Sequence, residues 1–149
     1  MLYKKTKGEI DLKNGILTFL GVIGAFISAL FGGWDAALTT LVIFMAIDYL
    51  SGVVVAGVFK KSGKSETGAL ESRAGLKGLC KKGMMLMVVL VAVRLDMMSG
   101  TNFLRDAVII AFVANEALSI MENAGLMGVK WPPVISNAID VLKKKGETG

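Results

Sequence analysis

AALTTLVIFMAIDYLSGVVVAGVF, residues 36–59, carries one charge, Asp48, near its middle. A hydrocarbon core about 30 Å thick is crossed by roughly 20 helical residues, with about 17 to 25 tolerated, so this stretch is long enough to span a bilayer. Period-two alternation is absent, and small and apolar residues recur three and four positions apart, which predicts a helix and not a barrel strand. Working outward, residues 16–33 contain no charge before Trp34-Asp35. Downstream, residues 83–99 hold Arg94 and Asp96 near their end, and residues 103–121 hold Arg105, Asp106 and Glu116. The turn-forming cluster Ser99-Gly100-Thr101-Asn102 between these two predicts a tight helical hairpin. The expected fold class is an all-α membrane protein: four hydrophobic helices at about 16–33, 36–59, 83–99 and 103–121. A basic cytoplasmic loop is expected at 60–82 and a cytoplasmic tail at 123–149, with 1–149 forming a single integral membrane domain. A three-span arrangement, with the third or fourth segment in the interface, is the alternative.

Composition agrees with this class. Of 149 residues 54% are apolar and 19% charged, and mean hydropathy is +0.63. With no His, one Cys and two Pro, the chain has no means of forming a His metal site, a disulfide framework or a Cys/His nucleophile pair. The net charge of +5 suits nucleic acid or an anionic membrane surface until the cations are located. In a four-span arrangement all of the 17 Lys and Arg except Arg94 and Arg105 fall on one side, in the flank 1–15, the segment 60–82 and the tail. The positive-inside rule then puts both termini in the cytoplasm. A three-span thread spoils that asymmetry. The first apolar run follows a lysine-rich flank as a signal peptide does, but no small-residue cleavage site follows it, so an uncleaved anchor is expected.

The helix faces carry further information. Gly21, Ala25, Ala29 and Gly33 recur every four residues, with Gly24, Ser28 and Gly32 in a second row beside them. Such rows let two backbones approach closely in lipid, which suits helix packing within one bundle and self-association equally well. An acid near the bilayer midplane costs about 2.5 to 3.5 kcal/mol on insertion scales. Asp48 therefore belongs to a stripe, with Thr40, Ser51 and Gly52, that faces protein or water. Asn115, Glu116, Ser119, Glu122 and Asn123 form a comparable stripe on the fourth segment. These acids either fix bundle geometry, through neighbouring helices or Arg94, or line a wet path. Two carboxylates are able to do acid/base chemistry, but no nucleophile, cofactor loop or metal ligand set accompanies them. Neither an enzyme nor a cofactor is expected.

Lys60, Lys61, Arg73, Lys77, Lys81 and Lys82 form the basic set of the 60–82 segment, either solvated or lying on the anionic inner leaflet. Cys80 is expected to be a small apolar filler. In the tail, Trp131 suits an interfacial anchor, Pro132-Pro133 a helix start, and Ile135, Ala138, Ile139 and Leu142 form one apolar stripe ending in Lys143-Lys144-Lys145. This pattern predicts a short C-terminal amphipathic helix. Without stacking aromatics among the lysines, nucleic acid is not an expected partner.

Three blocks carry a family resemblance: Asp48-Tyr49-Leu50-Ser51-Gly52; Ser72-Arg73-Ala74-Gly75-Leu76-Lys77-Gly78; and a C-terminal block of Leu104-Arg105-Asp106-Ala107, residues 114–123 (ANEALSIMEN) and Gly128-Val129-Lys130-Trp131-Pro132. In this order, over residues 31–143, they resemble the bacteriophage holin family, which includes the clostridial toxin-secretion holins. The linker around Gly63 to Glu71 is longer than the family pattern. The resemblance implies a protein made late in a phage cycle that accumulates and self-associates in the host cytoplasmic membrane. It then opens lesions through which an endolysin or a toxin crosses, with membrane lipid and copies of itself as direct partners. A small ion or proton channel, or a transporter with Asp48 and Glu116 as relay carboxylates, is the alternative. A structural partner subunit is a third reading.

Overall fold

The computed structural model describes residues 2–64, 67–135 and 137, with side chains from Leu12 onward. The described residues form helices and connecting turns, with no strand among them. Helix α1 spans Leu2–Leu30, α2 Ala36–Val54 with a π-helical extension Val55–Phe59, α3 Ser72–Ser99 and α4 Phe103–Leu126. Two of these, at Leu12–Leu30 and Ala36–Phe59, are long and apolar enough to cross a membrane. The apolar part of α3 is shortened by Lys82 and interrupted by Arg94 and Asp96. In α4 Arg105, Asp106, Glu116 and Glu122 do the same, so neither meets that criterion.

The ends of the elements have local causes. Asp35 caps α2, its carboxylate accepting from the Leu38 amide at 2.9 Å. The π extension closes on Lys60, whose φ of 52° is left-handed. The segment expected to remain loop as far as residue 82 is loop only to 71. From Ser72 it is helix, and residues 83–99 are the C-terminal part of α3. Gly100, at φ 66°, ends α3 as a left-handed cap and turns the chain back, as the Ser99–Asn102 cluster predicts.

Helices α2 and α4 run parallel to one another, with α3 antiparallel between their ends. Polar contacts set this orientation: Arg105 near the start of α4 meets Asp35 before α2, and Asn123 near the end of α4 meets Asp48 and Ser51. The core is Leu38, Leu41 and Met45 of α2, Met85 and Val89 of α3, and Ile109 of α4. Along α4 the buried positions are Ile109, Glu116 and Asn123, seven apart, so one face supplies first the apolar layer and then two polar residues.

Helix α1 is outside this bundle. Every residue from Leu12 to Ile27 is exposed, and a Cβ built on Gly21 or Gly24 meets nothing within 4 Å. Of its rows of small residues, Gly21 and Gly24 face open space, whereas Gly32 and Gly33, in the turn beyond α1, stand against Val93 and Arg105. The predicted tail helix lies almost wholly outside the described residues: 133–135 are helical, and Ala138, Ile139, Leu142 and the terminal lysines are not described. Trp131 folds back to donate to the Met121 carbonyl at 3.3 Å.

Candidate functional site: a charge cluster buried between three helices

Asp48 lies on the same face of α2 as Leu41 and Met45, Lys82 on the same face of α3 as Met85 and Val89, and Glu116 one heptad beyond Ile109. The faces that bury the core therefore also bring these three charges together, and all are buried: Asp48 is 6%, Lys82 8% and Glu116 2% exposed. Lys82 Nζ donates to Asp48 Oδ2 at 2.8 Å and also to Glu116 Oε2. Asn123 Nδ2 reaches Asp48 Oδ1 at 3.1 Å and Ser51 Oγ at 2.8 Å, and Ser51 Oγ in turn donates to the Asp48 carbonyl at 3.0 Å. From the 60–71 loop, Lys64 Nζ stands 3.6 Å from Asp48 Oδ1 and donates to Ser119 Oγ at 3.3 Å. Two acids are thus met by two lysines. Buried charges are tolerated when they are paired and hydrogen-bonded in this way, and removing one member leaves its partner stranded.

The sequence pattern singled out the two acids as residues in need of partners but not the partner itself. Lys82, expected with the basic set at the membrane surface, is instead their shared counter-ion. Arg94 is exposed, with its guanidinium on Met97 Sδ. Lys60, Lys61, Arg73, Lys77 and Lys81 are exposed as a basic set would be. Of the polar stripes, Ser51, Gly52, Glu116 and Ser119 join the cluster or its rim. Asn115 is exposed but borders the same cavity, and Thr40 turns back onto the Ala36 carbonyl. Cys80 is exposed on the outer side of α3 and fills no gap. The packing rows of α1 make no contribution here. Asn123, noted only as part of a stripe, is the hydrogen-bonding centre on Asp48. The seven-residue spacing from Ile109 was the available signal.

Above the cluster, between α2, α3, α4 and the 60–71 loop, an open cavity of about 360 Å³ reaches from Asp48 and Glu116 up to Lys77 and Lys81. Gly75 and Gly78 of α3 stand against Tyr49 there, with Cβ positions 3.5 Å from its hydroxyl and 4.0 Å from its ring. The site has the form of a neutralised polar core. Among the described residues no group of three or more His, Cys, Asp or Glu is placed to hold a metal ion.

A second polar cluster, not foreseen in the sequence, closes the opposite end. Arg105 Nε donates to the Phe31 carbonyl at 2.8 Å, Nη2 to the Gly33 carbonyl at 3.2 Å, and Nη1 to Asp35 Oδ2 at 2.7 Å, tying the α1–α2 turn to α4. Through its hydrogen bond, Arg105 holds the Asp35 carboxyl below the usual aspartate range. Asp96 of α3 caps α4 from outside, accepting from the Leu104 and Arg105 amides at 3.2 and 2.8 Å and from the Thr101 hydroxyl at 2.5 Å.

Comparison with known proteins gives this arrangement its context. The bacteriophage holin family matches residues 25–144. A protein of Listeria monocytogenes, described as uncharacterized, is 41% identical over 138 residues, covering 92% of this chain and 90% of its own. A 14.9 kDa protein from the nagH 3′ region of Clostridium perfringens is 38% identical over 136 residues, covering 90% and 94%. A protein of Bacillus phage phi105 described as a probable holin is 32% identical over 111 residues, 74% of this chain and 76% of that protein. No solved structure matches the chain. With the family matched from within α1 to the tail, and a phage relative similar over three quarters of the chain, this protein belongs to the bacteriophage holin family.

Proposed function

We propose that this protein accumulates in the host bacterial cytoplasmic membrane, self-associates, and opens lesions that depolarise the membrane and let an endolysin, or in a toxin system a secreted toxin, cross. Residues 1–149 form one integral membrane domain of four spans, with both termini and the basic 60–82 segment on the cytoplasmic side. The distribution of Lys and Arg supports that threading.

The observation that carries the reading is the contrast between α1 and the rest. Helices α2 to α4 gather Asp48, Lys82, Glu116 and Asn123 into a buried cluster, while α1 from Leu12 to Ile27 is exposed, with its apolar surface and the Gly21 and Gly24 positions of its small-residue rows unpartnered. In lipid an isolated apolar helix is tolerated, and close-packing faces become contacts when copies meet. The polar stripes are then able to turn from the bundle interior to a water-filled lumen, since lumen water satisfies what Lys82 and Asn123 satisfy at rest. In this resting form the Asp48–Lys82–Glu116 cluster holds the wet path shut.

The test is inducible expression in a bacterium, following membrane potential, release of a cytoplasmic reporter enzyme and culture density together. Abrupt depolarisation with enzyme release is the expected result. Intact cells, or a slow ion leak without enzyme release at every expression level, would refute it. The slow leak is the signature of the second reading, a small ion or proton channel, which the placement of Asp48 and Glu116 at the floor of an open cavity favours. Asp48→Asn and Glu116→Gln separate charge from shape in the same assay.

A further inference from the structure

We infer that the cavity between α2 and α3 is a binding site for an anionic phospholipid, with the phosphodiester at Lys77 and Lys81 and an acyl chain against Tyr49, Val53 and Leu70. The leaflet, the inner one, rests on the threading proposed above; the site itself does not.

The charges that line this cavity sort into two groups. At the floor Asp48 and Glu116 are occupied by Lys82 and Lys64, so the floor is neutralised and does not repel an anion. Glu71, the remaining acid of the lining, is turned onto Thr67, accepting from its amide at 3.3 Å and its hydroxyl at 2.8 Å. Lys77 and Lys81, four residues apart on one face of α3, line the mouth, and neither makes an ion pair among the described residues. Four lysines against Asp48, Glu71 and Glu116 leave the lining with one net positive charge, carried at the mouth by Lys77 and Lys81. The uncapped N-terminus of α3 adds its positive end, because Glu71 makes no side-chain cap.

Depth and shape agree with charge. Lys77 is five residues before Lys82, about 7.5 Å along the axis toward the N-terminal end of α3, where the apolar run of the helix gives way to lysines. The wall between is mainly apolar, formed by Tyr49, Val53, Ala56, Leu70 and Ala74. A volume of about 360 Å³ is within the range of ligand cavities. Basic pockets between membrane helices at the cytoplasmic face suit anionic headgroups, and an apolar wall beneath two cations is what distinguishes a lipid from a free phosphate.

The full chain would be reconstituted in vesicles of phosphatidylcholine with or without phosphatidylglycerol, both leaflets alike so that orientation is immaterial. Retained lipid is counted by native mass spectrometry and the unfolding midpoint followed by circular dichroism. We expect phosphatidylglycerol to be retained in preference to phosphatidylcholine and to raise the midpoint. Retention should fall by about thirtyfold in K77Q/K81Q and be lost in Ala74→Leu, which fills the cavity. K60Q/K61Q removes the same charge outside the cavity and should match the wild type. Equal loss in K60Q/K61Q, no preference between the lipids, or the same midpoint rise from inorganic phosphate in phosphatidylcholine vesicles would each overturn the site. Threading is checked separately by external labelling of Asn102→Cys in a Cys80→Ser background, so failure of one does not pass for failure of the other.

Discussion

Replacing Lys82 with Met keeps an unbranched side chain, one atom shorter, and removes its charge, leaving Asp48 and Glu116 stranded between three helices. Lys64 is a poor substitute, 3.6 Å from Asp48 with a side chain 58% exposed. Breaking a buried ion pair by deleting one partner costs about 3 to 5 kcal/mol. Protonating a carboxyl of ordinary acidity at pH 7 costs about 4 kcal/mol, which caps the loss because the site is able to neutralise itself at that cost. K82M should therefore be about 3 to 4 kcal/mol less stable, a shift of two to three orders of magnitude in the unfolding equilibrium. The assay is reversible unfolding in mixed micelles against increasing sodium dodecyl sulfate, followed by circular dichroism. The neutral triple variant K82M/D48N/E116Q should recover to within about 1 kcal/mol of the wild type, because replacing a whole buried cluster is far cheaper than halving it. K82M within about 1 kcal/mol of the wild type, or a triple variant as unstable as the single one, would show that the cluster contributes no such coupling. In cells, K82M should lyse earlier than the wild type at equal protein level if the cluster is what holds the path shut.

Gly24→Leu with Ala25→Leu should leave the unfolding of the chain within about 1 kcal/mol of wild type, since α1 touches nothing there. The same pair should delay or block lysis, and unaltered lysis timing would remove α1 from assembly. The Asp35–Arg105 tie has a defined pH dependence. A carboxyl held below its ordinary value contributes stability that is full above the ordinary aspartate range and is lost as pH falls through the lowered value. Stability measured from neutral pH down through that window should fall in the wild type and fall less in Asp35→Asn; matching slopes would refute the tie. Asp96→Ala removes the external cap of α4 and should cost about 1 to 2 kcal/mol, with Asp96→Ser recovering part of it, measured in the same micelle titration.

The amino-acid sequence alone determines the all-helical class, the apolar reach of Leu12–Leu30 and Ala36–Phe59, the hairpin at Ser99–Asn102 and the need of Asp48 and Glu116 for partners. Each is a local property: length against bilayer thickness, turn chemistry, or the cost of an acid in an apolar run. Tertiary structure decided the rest. Lys81 and Lys82 are adjacent in a basic run, yet one is exposed and the other buried, because successive residues of a helix point about 100° apart. Which of them faces inward depends on how α3 is rotated against α2 and α4. A helix apolar on most sides does not encode that rotation by itself, and here it is fixed by partners 34 residues away in either direction. The same holds for Arg105, whose partners at Phe31, Gly33 and Asp35 lie more than two helices earlier in the chain, and for Asp96, which caps a helix other than its own. The rows of small residues on α1 were equally legible as an internal or an external contact. Only the packed bundle shows that within one chain Gly21 and Gly24 are left in open space while Gly32 and Gly33 meet Val93 and Arg105.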